Sequence, residues 1–168
     1  MTVDTQHFER VLAERAAGDV QREFDTARAA LESIAATLGS ADASTEALQS
    51  QVAARQLEAW GRSRFVTLFD ASGARRGSIR LQGADARGPE SLAPALRGEG
   101  FRVGAVKQGA GGPVVPLSVP VRAPSGELRF WWLAELELAP LCAQLAALGE
   151  APPLRDRDAL FAVDEART

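Results

Sequence analysis

The chain is poor in the side chains that usually carry catalysis: one cysteine, one histidine, no tyrosine and one methionine in 168 residues. The lone Cys142 excludes an intrachain disulfide. His7 has no cysteine or second histidine near it, which excludes a zinc site of ordinary ligand spacing. Cys142 lies beside Leu141 and Leu145 in an apolar helical pattern and reads as inert core. Ser118, in a strand-rich stretch, has no histidine to activate it. The glycine run Gly109–Gly112 lacks the following Lys-Ser/Thr of a phosphate loop. These absences argue against an enzyme and against any metal or cofactor. Net charge is −3, which gives no general attraction to nucleic acid or anionic lipid. No apolar run approaches the roughly 20 residues needed to span a bilayer, and the start lacks the basic-then-apolar order of a signal peptide. A membrane would therefore be reached only through segments flanking this chain. Of the 19 basic residues one alone, Lys107, is lysine.

What is present suits a folded domain: 46% of residues are hydrophobic. Phe8 to Leu38 is helical in pattern and free of proline, with Val20, Phe24, Ala27, Leu31, Ile34 and Leu38 stepping by three and four residues along a narrow seam. Part of that seam is expected to cover the domain's own sheet, and the N-terminal half to be free to pair with a second copy. Gly39-Ser40 ends the helix as a C-cap. A second helix, capped by Ser44 or Thr45, is expected from about Glu46 to Trp60.

The period then changes. Arg64–Phe69 and Gly77–Leu81 read as strands around the turn Asp70–Gly73. Gln82–Pro89 is loop-like, and Glu90–Leu96 is at most a short helix. Phe101–Lys107, Val114–Val121 and Glu127–Leu136 follow as strands, the last two joined at Pro124-Ser125-Gly126, and Leu138–Leu148 is a closing helix. Pro116 and Pro120 mark the fourth strand as edge-like or irregular, because each removes a ladder donor. The expected organisation is a helical segment over 1–61, an α+β module over 62–150, and a linker over 151–168 whose Ala159–Val163 strand would open an incomplete second module.

Order and spacing together, carried by Leu68-Phe69-Asp70-Ala71-Ser72-Gly73, Ala95-Leu96-Arg97-Gly98, Pro116–Val121 and Ser125-Gly126 followed by Leu133–Leu138, resemble a Cache domain. These are PAS-like extracytoplasmic sensors of bacterial histidine kinases and chemoreceptors. The resemblance covers about Phe8 to Leu148. It implies a five-stranded antiparallel sheet with the long helix on one face and a small-molecule pocket on the other. It also implies a periplasmic location, flanking transmembrane helices and a cytoplasmic output domain beyond this chain, and the helix seam adds the expectation of a homodimer.

Strand alternation locates the candidate pocket independently. In the last strand Leu128, Phe130, Trp132, Ala134 and Leu136 form an apolar face suited to the long helix, while Arg129, Trp131, Leu133, Glu135 and Glu137 form a mixed one. In the strand before it, Ser118 alternates with apolar residues. Arg80, Arg102 and Lys107 alternate likewise and are candidate anion holders, the arginines by two-point contact. By resemblance, Glu135 stands where family members that bind amino acids accept the ligand's ammonium. The opposing reading is a Glu135 that is solvated or paired with Arg129 or another arginine. The Arg and aromatic residue that such members carry shortly before Ala-Leu-x-Gly are missing from Pro89–Pro94, and Arg87 is a distant substitute. The expected ligand is an organic acid, amine or amino-acid-like molecule. The alternative function is a ligand-free dimerisation module.

Overall fold

The computed structural model describes residues 2–40, 63, 65–80, 89–109 and 111–149. The expected second helix, the loop carrying Arg87 and the Ala159–Val163 strand lie outside the described residues. Helix α1 spans Thr2–Ser40. Strands β1 (Phe65–Asp70) and β2 (Arg75–Arg80) form a hairpin. A single 3-10 turn, Pro94–Leu96, precedes two short strands, β3 (Arg102–Val103) and β4 (Lys107–Gly109). Strands β5 (Gly112–Arg122) and β6 (Leu128–Glu137) are long, and helix α2 (Ala139–Gly149) follows them. The strands form one antiparallel sheet of order β2-β1-β6-β5-β3, with β4 also on β5. This is the expected α+β architecture, with six strands where five were expected because Phe101–Lys107 is not continuous. The interruption falls at Gly104, which sits so close to β5 that a Cβ there would lie 2.6 Å from Pro116 Cγ.

Alternation on β5 and β6 produces two buried layers. On one face Val115, Leu117, Val119 and Val121 join Val66, Trp132, Ala134 and Leu136 under Ala27, Leu31, Ile34, Ala35 and Leu38 of α1. The helix seam thus faces the sheet, as its spacing predicted. Gly39 is required for close approach more than for capping, since a Cβ there would meet the Arg122 carbonyl oxygen at 2.1 Å. The seam's N-terminal continuation is also covered within one chain: Leu12 and Ala16 are buried. It is therefore not the free surface that the pattern implied, whereas Val11 on another side of the helix is exposed.

Two further expectations are corrected. Leu128 does not lie under α1. Pairing runs Val121↔Phe130 and then Arg122↔Leu128, so Arg129 is an extra residue in β6. That bulge turns Leu128 to the opposite face, where it packs with the second cluster. Cys142 is exposed, since α2 turns Leu141 inward instead. The prolines of β5 behave as read. The Pro116 carbonyl accepts the Gly104 N–H at 2.8 Å, which shows that even positions of β5 turn their backbone groups to the outer edge. Both missing donors therefore fall where strand cover is short. No helix among the described residues is long and apolar enough to cross a membrane.

Candidate functional site

Cross-strand partners share a face, so the register places the candidate residues. On the face away from α1, Pro116 pairs with Glu135, Ser118 with Leu133, and Pro120 with Trp131. Thr67 and Phe69 of β1 pair with Leu133 and Trp131 from the other side, and Arg102 lies opposite Ser118. The structure therefore brings Trp131, Ser118, Glu135 and the Arg102 position onto one sheet face. Arg80 reaches the same face by register, opposite Phe65, but its side chain lies outside the described part. Arg129 stands apart, exposed at the bulge.

The segment from Ser91 to Leu96 folds over this face. Leu92 and Leu96 pack with Phe69, Trp131 and Leu133, and Leu128 borders them. Several polar contacts fix that segment. Ser118 is fully buried and its hydroxyl donates to the Leu96 carbonyl at 2.5 Å. The Leu92 N–H donates to the Gly73 carbonyl at 2.9 Å, and the Arg97 guanidinium donates to the Leu92 carbonyl through Nη2 (2.9 Å) and Nε (3.2 Å). Gly73 carries φ +86, and a Cβ there would meet the Arg97 guanidinium at 2.2 Å. The turn before it is built by Asp70, whose Oδ1 accepts from the Ser72 and Ala74 N–H groups at 3.0 Å each. Arg102 folds back on the same region, with its guanidinium against Gly98.

Glu135 is the one buried charged residue among those described, at 8% exposure. An isolated carboxylate there would be costly, and the structure supplies a counter-ion: Lys107 Nζ of β4 pairs with Glu135 Oε1. The reading opposed to a ligand's ammonium at Glu135 had solvent or an arginine, Arg129 among them, in this role, and the structure has a lysine instead. Lys107 takes that role because the interruption at Gly104 lets β4 pair with β5 at Val114, one step beyond Pro116 and its partner Glu135. The lysine side chain itself is 46% exposed.

Trp131 supplies a second polar feature. Its Nε1 is buried and finds no acceptor among the described residues. Leu92 and Leu96 pack with this ring, so the donor lies beneath the covering segment. Trp132 Nε1, on the α1 side, likewise finds no acceptor among the described residues. No group of three or more potential metal ligands occurs among the described residues. On the α1 side, a groove of about 280 Å³ lies between Glu32, Ala35 and Ala36 of the helix and Phe101, Val119 and Pro120. Arg28 stands over the Phe101 ring beside it, 6.0 Å from the centroid. The sequence pattern gave no sign of this groove, because it depends on where Glu99–Phe101 leaves the sheet.

No protein-family model matches the chain, and no curated protein matches it in sequence. Solved structures do. The ligand-binding domain of the amino-acid chemoreceptor PctC of Pseudomonas aeruginosa, in complex with GABA, superposes with a TM-score of 0.64 at 23% identity, over 86% of this chain and 67% of that one. The ligand-binding domain of the Pseudomonas fluorescens chemoreceptor CtaA, with L-serine, gives 0.63 at 14% identity, over 84% and 63%. That of Campylobacter jejuni Tlp3, with L-valine, gives 0.62 at 12%, over 86% and 65%. The chain has the PAS-like Cache fold of these domains and spans about two thirds of their length.

Proposed function

We propose that this chain is the small-molecule-sensing input domain of a bacterial transmembrane receptor, located outside the cytoplasm. In this reading the ligand is an amine or amino-acid-like molecule bound at the sheet face away from α1. Glu135 receives its cationic group, Leu133 and Trp131 continue the same face away from it, and Ser118 holds the Leu92–Leu96 segment that packs on that face. Arg102 and Arg80 flank that face on β3 and β2, and Arg129 borders it at the bulge. The observation that carries the reading is the nearly buried Glu135 carboxylate, whose counter-ion is a half-exposed lysine on a three-residue strand. A buried acid whose counter-ion keeps access to water suits exchange of cations better than core packing. The shared fold supports it: the neighbours named above were solved with GABA, L-serine and L-valine.

Signalling would proceed as a population shift. A ligand that binds one arrangement of α1 better than another moves the equilibrium by its differential affinity. Two copies would pair through the side of α1 that carries Val11, because Leu12 and Ala16 are already covered. A receptor of this kind has no catalytic residues in its input domain.

One observation favours a second reading, the ligand-free dimerisation module. Leu92 and Leu96 already pack on Trp131, and Lys107 already neutralises Glu135. A thermal-shift screen against amino acids, amines, carboxylates and nucleobases separates the two. A ligand at about a hundred times its Kd adds roughly 2.7 kcal/mol, which raises the melting midpoint by several degrees. A stabilising compound whose effect disappears in Glu135→Gln supports the sensor; no response across the panel supports the ligand-free module.

A further inference from the structure

We infer that Lys107 is a built-in competitor that sets the ligand's charge: an ammonium group reaches Glu135 only by displacing this lysine, and an anion does not take its place. The inference rests on the sensor reading above and adds a residue role to it. Three observations carry it. Glu135 is the one buried charged residue among those described, and Lys107 Nζ pairs with its Oε1. The two charges cancel, so the closed pair attracts neither cation nor anion, and a cation gains by exchange what Lys107 gives up. The burial is lopsided, with the Glu135 side chain 11% exposed and that of Lys107 46% exposed, so the lysine is the partner that can leave for water.

The third observation is the residue type. Eighteen of the 19 basic residues are arginine, and the single lysine of the sequence stands at this position. An arginine would grip the carboxylate through a planar two-point fork, whereas a lysine is a well-hydrated point charge on a flexible stem. Here the chemistry is that of a contact made to be exchanged. Lys107 also projects from a strand of three residues at the outer edge of β5, where its withdrawal disturbs no long ladder.

Competition has a quantitative signature. A ligand's apparent Kd is its intrinsic Kd divided by the fraction of molecules with the site free. If the pair is closed about nine-tenths of the time, removing the lysine's charge tightens an amine about tenfold. Because Lys107 is the only lysine, selective 13C labelling of lysine gives one Cε signal, read in the unmodified protein with no substitution at all. The probes are n-butylammonium, which reproduces the lysine tail, and butyrate of the same length and opposite charge. The expected result is that n-butylammonium moves the Cε signal to the position of a free lysine side chain and butyrate leaves it in place. Lys107→Met then binds n-butylammonium about tenfold tighter, and Lys107→Arg binds it more weakly than the unmodified chain. A Cε signal unmoved by n-butylammonium, or moved by butyrate, overturns the inference, as does weaker amine binding in Lys107→Met. The sensor reading is judged separately by the metabolite screen: a metabolite that binds through Glu135 but is weakened by Lys107→Met keeps the sensor and removes the competitor.

Discussion

Individual residues fix the covering segment to the sheet, and single substitutions test their contributions. Ser118→Ala removes the hydroxyl that satisfies the Leu96 carbonyl. We expect a loss of about 1–3 kcal/mol in urea denaturation, because a buried acceptor is left without a donor. Gly73→Ala is expected to cost at least 1 kcal/mol, since it forces a side chain into φ +86 and onto Arg97. Asp70 makes a pH-dependent contribution. The Ser72 hydroxyl first, then the Ala74 N–H, with Arg76 adding to them, hold its carboxyl below the ordinary 3.8. A depressed folded-state value means that the stabilisation is complete above 3.8 and is lost as pH falls through the folded value. Asp70→Asn should therefore be less stable at neutral pH, with its deficit shrinking below pH 3.8 when urea midpoints are compared across pH. At this scale Glu135 was legible as an acid set into an apolar strand. Its partner was not, because Lys107 reaches it through a register that no local pattern shows.

Elements were legible where a long period governs them. The seam of α1 read correctly as sheet-facing because the spacing from Phe24 to Leu38 keeps one stripe against a continuous apolar face. Leu31, fully buried in that contact, is the test: Leu31→Ala should cost about 2–5 kcal/mol by thermal or chemical denaturation. Gly39→Ala should separate the end of α1 from β5, because the obstacle is the backbone carbonyl of Arg122 and not a side chain that can rotate away. The short edge was misread as one strand over Phe101–Lys107, since apolar alternation continues through Gly104 while the backbone leaves β5 there. Alternation also failed at Leu128. A bulge adds one residue and reverses every face assignment beyond it, and Arg129 carries no sequence mark of that role.

For the whole molecule, the sheet separates two buried layers of different composition. One sheet face anchors the long helix with apolar residues, and the other carries the buried acid, the buried serine and the Trp131 indole, with the Ser91–Leu96 segment packed on part of it. Under the proposed function, ligand binding on one face and a response of α1 on the other would be coupled through the sheet between them. The fold was legible from the order of elements, since helix, hairpin, covered loop and two long strands leave few alternative sheets. The ligand's chemistry was not, because it depends on which charges meet across strands. The most direct test of the proposed site uses the two adjacent tryptophans, which point to opposite faces. In a 15N–1H spectrum of the indole groups, titration with a compound that stabilises the chain should shift Trp131 strongly and leave Trp132 nearly unmoved. A shift confined to Trp132, or a stabilising compound that moves neither, would contradict a ligand site on the face away from α1.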